Sequence, residues 1–301
     1  MTGAGISSLR DPLRPAVVGA RIGGGVRRLF RGADAVDTVA YALVGLVLLF
    51  AVVGLFWQPM DPYRAVPADA LLPPGTDGHL LGTDTSGRDM LSRLLAGAGS
   101  TILAAVAVVA LTTLIGVVVA GIAAMSPRPV DEAIMRLCDI VMALPAMVLA
   151  LGIAAALGPS LQSIVVAMTI AAWPGTTRLV RGILRETMAA SSVEAARVMG
   201  ASRLRVMVRH VLPNSLDSVY VQASMEISGT IVLIAGLAYL GVGAAPPSAD
   251  WGSMVAAGQQ YITTAWWVTA VPGLAITAAA VGFGLLGDAI RVRLDPTVGR
   301  A

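Results

Sequence analysis

Lysine is absent from this chain of 301 residues, and all 21 of its basic residues are arginines. This absence excludes Schiff-base chemistry on a lysine and a phosphate-binding loop of the GxxxxGK[ST] type. The single cysteine, Cys138, cannot form an intramolecular disulfide or a CxxC metal site. The two histidines, His79 and His210, stand far apart without the spacing of metal ligands. The sequence therefore predicts no metal site, and no nucleophile–base pair stands out as catalytic.

Charged residues are also scarce, at 13%, whereas 56% of the chain is hydrophobic. This composition is typical of a polytopic membrane protein, and we expect an all-α fold with six transmembrane helices. The fourth apolar segment contains Trp173-Pro174-Gly175 and is predicted to kink or to end early. The six segments run approximately over 38–57, 100–125, 136–157, 161–178, 215–240 and 266–288.

The arginines give these segments an orientation. Only Arg64, Arg88 and Arg93 fall in loops that would lie outside if the N-terminus were inside. Because cytoplasmic loops are rich in arginine, both termini are predicted to be cytoplasmic. The chain then divides into a basic tail (1–37), a first transmembrane helix (38–57), an outer loop (58–99), a five-helix core (100–290) and an inner tail (291–301). The basic tail is either disordered or a specific binding arm.

The outer loops carry two further patterns. Ser86 and Asp89 have capping-box spacing, and Asp89 and Arg93 could pair across one helical turn. With the apolar stripe that follows, they predict a short amphipathic helix on the outer membrane surface. The second pattern is an aromatic belt or a docking surface in the last outer loop. The stripe consists of Met90, Leu91, Leu94 and Leu95, and the aromatic residues are Trp251, Tyr261, Trp266 and Trp267.

One ionisable residue falls well inside a span. Glu226, with Gln222 one turn before it, lies in the fifth apolar segment. Because a carboxylate at that depth is costly, it should line a pathway or hydrogen-bond to a neighbouring helix.

The charged stretch 191–214 interrupts the apolar spans. Ser191 and Glu194 have capping-box spacing, and Gly200 is placed as a helix stop. Ser202 can cap a second, basic helix that Pro213 would end before the fifth span. The pattern predicts a helix, a glycine hinge and a helix on the cytoplasmic side. These residues alone allow either a structural hairpin or a partner-binding loop.

The same stretch resembles a known family. Glu194-Ala195-Ala196, then Gly200, then Leu212-Pro213 is similar to the EAA loop of permease subunits of bacterial ABC importers. Further segments, in the family's order from about 61 to 296, resemble its dipeptide/oligopeptide/nickel branch, and the LGTD loop resembles the second permease of the pair. These segments are LGTDTSGRDMLSRLLAGA, MRLCDIVMALPAMVLALGIAAALG, WPGTTRLVRG, LAYLGVGAAPPSADWGSM and LLGDAIRVRLDP.

The resemblance implies a type I importer permease in the bacterial cytoplasmic membrane, which is not itself an enzyme. Its expected partners are a similar permease in a heterodimer, two cytoplasmic ATPase subunits that hold ATP-Mg, and a solute-binding protein. No cofactor bound by this chain and no nucleic-acid partner are expected. The resemblance assigns the ATPase contact, the coupling helix, to Glu194, Ala195, Ala196, Gly200 and Ala201.

Two alternatives stay open. The same architecture could carry nickel chelates, glutathione or another small solute instead of peptides. A self-sufficient secondary transporter could use Glu226 as a proton or cation site and would work without ATPase subunits. One departure bears on Glu226: Ile234 occupies the place where many family members carry a glutamate, and Glu226 lies about two turns earlier.

Overall fold

The computed structural model describes residues 35–294, and every regular element in that range is helical. Two π-helical turns, Met207–Val211 and Ala238–Val242, extend α8 at its two ends. The helices are α1 (Ala35–Phe56), α2 (Met90–Met125), α3 (Arg128–Met142), α4 (Ala146–Leu157), α5 (Leu161–Met188), α6 (Ser191–Val198), α7 (Arg203–Val206), α8 (Leu212–Leu237), α9 (Trp251–Gly258) and α10 (Trp267–Leu294).

Within the described range, five helical stretches are long and apolar enough to cross a membrane. A sixth crossing requires α3 and α4 together, and these two helices are bent by 80° relative to each other. The span predicted over 136–157 is therefore a bent pair of helices, α3 and α4, rather than one continuous helix. The bend falls before Pro145, which disfavours helical backbone at Leu144 and so ends the helix there.

The two ends of the described chain lie on the same side of the bundle. Arg293, at the end of α10, donates to the Asp37 carboxylate at the start of α1 at 2.9 Å. This pairing agrees with an even number of crossings. We call this side inner, following the arginine asymmetry, and the opposite side outer. Most of the predicted tails, 1–37 and 291–301, lie outside the described residues.

Two helices continue through prolines that were predicted to interrupt them. α5 runs past Pro174 to Met188 and packs along α2, where Gly116 lies against Thr176 with no room for a Cβ atom. Pro213 sits in the first turn of α8, where its missing N–H is not needed. The preceding π turn joins α7 to α8, and in it the Leu212 N–H donates to the Met207 carbonyl. Arg203–Val242 thus forms one span of 40 residues, and Pro213 does not end a helix.

The predicted surface helix in the outer loop is instead the first part of α2. Asp89, not Ser86, caps α2 by accepting from the Ser92 N–H at 2.8 Å. Met90, Leu94 and Leu95 are buried in the protein rather than lying on a membrane surface. Asp89 pairs with His79 at 2.9 Å, so the predicted pair with Arg93 is wrong.

Arg93 instead joins the two outer loops. Its guanidinium donates to the carbonyls of Pro62 at 3.0 Å, Pro247 at 3.2 Å and Ser248 at 3.0 Å, and lies 3.4 Å from Asp84. Loops 58–89 and 243–266 therefore form one ordered layer, here called the outer cap.

The outer cap also explains two tryptophans predicted for a membrane belt. Trp251 and Trp267 are buried and donate to the carbonyls of Leu94 at 3.0 Å and Thr83 at 3.2 Å, respectively. Both are therefore core residues, because the cap covers them. Trp266, 57% exposed, remains available to lipid or a partner.

Candidate functional site: the inner loop and the transmembrane polar cluster

The first helix of the charged stretch, α6, begins after Ala190, and no side chain caps it. The capping box predicted for Ser191 and Glu194 is therefore wrong, because Ser191 is already the first helical residue. Glu194 lies exposed in the first turn, where its charge favours the helix dipole.

The predicted glycine hinge is confirmed. Gly200 has φ +84°. At the end of α6, the Gly200 N–H donates to the Arg197 carbonyl at 2.9 Å, and the Ala201 N–H donates to the Ala196 carbonyl at 3.1 Å. This pair of bonds is a Schellman motif, which places its left-handed residue at the glycine. The Ser202 hydroxyl then accepts from the Arg205 N–H at 3.4 Å, which confirms the predicted second cap.

Replacing Gly200 with alanine is expected to destabilise the hinge by about 1–2 kcal/mol, because an L-residue is strained in this conformation. A Cβ atom there would meet nothing within 4 Å, so backbone strain is the whole effect. Gly182→Ala is the matched control, since Gly182 is an exposed glycine within α5 with open space around it. Limited proteolysis of the inner loop should become faster for G200A and not for G182A; equal rates would contradict the strain.

Different parts of α6 have different surroundings. Val193 and Ala196 are buried, and Val193 packs in a cluster with Val206, Met207 and Val211, which fixes α6 against the start of the α7–α8 span. At the C-terminal end of α6, Val198 and the C-cap residue Met199 are 84% and 80% exposed.

The structure thus separates the five residues predicted for the ATPase contact. Glu194, Ala195 and Gly200 are exposed and Ala201 is partly exposed, whereas the Ala196 side chain points into the protein. Sequence reasoning missed Val198 and Met199 as surface residues. The signal was present: Val198 and Met199 are consecutive apolar residues at the end of a short helix that buries Val193 and Ala196 instead.

An ion-pair cluster ties the inner end of α5 to α3. The Asp131 carboxylate, on a residue only 4% exposed, accepts from both Arg181 and Arg185. Arg178 pairs with Asp139 farther along the same two helices. α5 leads directly into α6, so this cluster fixes the base of the inner loop.

We expect Asp131→Asn to destabilise the protein by on the order of 3 kcal/mol, because it leaves two arginines facing a site without a countercharge. Glu132→Gln, which removes the exposed pair with Arg128, should cost less than about 0.5 kcal/mol. Thermal unfolding of the purified variants compares the two. Equal midpoints for D131N and E132Q would show that the cluster contributes nothing.

The second group of polar residues lies inside the membrane span. Gln222 donates to the Glu226 carboxylate at 3.0 Å, a bond within one helix. The Thr176 side chain of α5 lies beside the carboxylate, but its hydroxyl donates to the Ala172 carbonyl at 3.5 Å. An inter-helix hydrogen bond of Glu226 therefore stays a prediction. Glu226 and Gln222 are also partly exposed, so lining of a pathway by them stays a prediction. No cluster of three or more His, Cys, Asp or Glu residues suited to a metal occurs among the described residues.

Residues 112–300 match the family described as the inner membrane component of binding-protein-dependent transport systems. The chain belongs to this family. The matched region includes the inner loop, the Asp131 cluster and Glu226. The family assignment makes the chain a multi-pass membrane component of a transport system rather than an enzyme.

Named relatives cover nearly the whole chain. The probable D,D-dipeptide transport system permease DdpC of Escherichia coli K12 is 40% identical over 262 residues, which are 87% of this chain and 88% of the relative. The di/tripeptide transport system permease DppC of Pseudomonas aeruginosa is 39% identical over 270 residues, 86% of this chain and 89% of the relative. A putative peptide transport system permease of Brucella suis is 41% identical over 273 residues, which are 90% of this chain and 88% of the relative.

Proposed function

We propose that this chain is a transmembrane permease subunit of an ATP-driven importer for di- and oligopeptides in the bacterial cytoplasmic membrane. One observation supports ATP drive: α6 exposes Glu194 in its first turn and the apolar residues Val198 and Met199 at its end, all at the inner surface. The relatives support a peptide cargo, since they are named as dipeptide and peptide transport permeases.

The contacts of α6 would let it transmit a movement of a bound partner to the membrane spans. Its buried face packs against the helical start of the Arg203–Val242 span, and its first residue follows α5 after a two-residue connection. A partner that moved α6 would therefore move two membrane spans together as rigid bodies. Such a movement, driven by differential contacts in two states, can switch a pathway between outward and inward access.

The partner that would move α6 is an ATPase subunit. The chain has no lysine and therefore no phosphate-binding loop of its own, so ATP-Mg would be held by two separate ATPase subunits. A similar permease would complete the membrane part, and a solute-binding protein would deliver the cargo from outside.

Uptake by the reconstituted assembly tests this proposal. Vesicles with the two permeases and two ATPases should import a labelled dipeptide only when both ATP and the loaded binding protein are present. Vesicles with this chain alone should show no flux. Flux without ATPases would favour the secondary transporter, and uptake of a nickel chelate or glutathione instead of peptide would keep the architecture and change the cargo.

A further inference from the structure

Glu226 stands near the middle of the 40-residue span Arg203–Val242 without a cationic partner. Its hydrogen-bond partner, Gln222, is neutral, and so is the Thr176 side chain that lies beside it. Every arginine that forms an ion pair within residues 35–294 pairs with another carboxylate. A carboxylate kept at such a depth is costly, and usually faces a pathway or a ligand.

A structural hydrogen bond does not by itself account for a charged group here. Gln222 and Glu226 lie four residues apart on one helix, and a glutamine at 226 could accept the same bond. What only the carboxylate offers is its negative charge.

Two buried threonine hydroxyls at the contact between α2 and α5 have no hydrogen-bond partner among the described residues. Thr177, next to Thr176 on α5, is fully buried, and its hydroxyl lacks a hydrogen-bond partner among the described residues. The Thr113 hydroxyl is buried and equally without one, and it lies one turn before Gly116, where α2 touches Thr176 and Thr177. Buried hydroxyls without partners are uncommon and indicate a place for water or a ligand.

We infer that Glu226 binds the positively charged amino group of the cargo as it crosses the membrane. This inference rests on the proposed function, because a free peptide carries an ammonium group at its amino terminus. Gln222 holds the carboxylate in place, and the ammonium supplies the cation that the protein omits. The Thr176 hydroxyl beside the carboxylate can accept a further hydrogen bond from the ammonium N–H groups.

Uptake of dialanine and N-acetyl-dialanine by the reconstituted full assembly tests the inference, with each cargo at a concentration shown by titration to saturate the binding protein. Glu226→Gln should lower the rate of dialanine uptake by about tenfold, which corresponds to the loss of one charge-assisted hydrogen bond. It should leave the rate for N-acetyl-dialanine unchanged. Glu226→Asp should restore part of the dialanine rate. The matched control is Asp217→Asn, which removes an exposed carboxylate from the same helix.

Several results would overturn the inference. One is full dialanine uptake by E226Q, and another is an equal loss for both cargoes, which would indicate a structural role or an inorganic cation site. These results leave the proposed function standing, since wild-type uptake is present in each. If the wild-type assembly imports no peptide at all, the proposed function itself fails.

Discussion

Met199→Glu is expected to abolish ATP-driven uptake while the chain still folds and inserts normally. Met199 is 80% exposed, so its replacement removes no contact within the chain. In the proposed assembly the same side chain is covered by an ATPase subunit, and a carboxylate placed in such an apolar contact would be desolvated without a partner. Loss of a central contact of this kind costs about 2 kcal/mol or more, which is a roughly 30-fold weaker association.

The measurement is co-purification of the ATPase subunit, together with ATP hydrolysis and uptake in vesicles. Leu80→Glu serves as the control, because Leu80 is 67% exposed but lies in the outer cap on the opposite side. Glu194→Arg should uncouple hydrolysis from uptake with a smaller loss of binding, since Glu194 is exposed at the start of the same helix. Coupled uptake by M199E at the wild-type rate would show that α6 is not the contact.

Arg93→Leu is expected to lower the free energy of unfolding by about 3–5 kcal/mol, the range seen when one partner of a buried charged network is removed. Arg93 is 5% exposed, and its loss leaves three backbone carbonyls without their donor and removes one of the two arginines beside the Asp84 carboxylate. The two loops of the outer cap would then separate. Arg93→Lys should recover only part of the loss, because a lysine lacks the planar fork that reaches several acceptors.

Thermal unfolding and protease cleavage of the outer cap in detergent provide the readouts for this variant. The control is Arg64→Leu, which removes an exposed arginine from the same outer loop and should behave as wild type. Equal unfolding temperatures for R93L and R64L would mean that the cap is held without Arg93.

Much of the fold follows from local properties of the sequence. The apolar segments and arginine asymmetry predicted membrane helices with both ends of the bundle on one side, and the Arg293–Asp37 pair agrees. Gly200 and Ser202 were predicted correctly because hinge and cap depend on neighbouring backbone groups.

The errors come from contacts between distant residues. Asp131 and Arg181 are fifty positions apart, and nothing in the local pattern indicates that they meet. Trp251 was predicted to lie in an aromatic belt or a docking surface. Its burial could not be predicted, because it depends on Leu94, which is 157 positions away in the sequence, and on the outer cap. The capping box at Ser191 failed because Ala190 already takes the cap position.

The inner loop shows the same division. The positions of Glu194 and Gly200 could be predicted from the sequence, but the face on which each side chain lies could not. Ala196 is buried because it lies one turn after Val193 on the side of α6 where Val193 packs in a cluster with Val206. Val198 and Met199 are left on the surface as a consequence, and they become the strongest candidates for contact with a partner.

Cross-linking from position 199 tests the central claim most directly. The chain has one cysteine, Cys138, which is fully buried, so a Cys138→Ala background leaves a single reactive thiol to be introduced. In the assembled complex, Met199→Cys should cross-link to an ATPase subunit through a short thiol–amine reagent, whereas Trp266→Cys in the outer cap should not. A cross-link from position 266, or none from position 199 in a complex that hydrolyses ATP and imports peptide, would contradict the account.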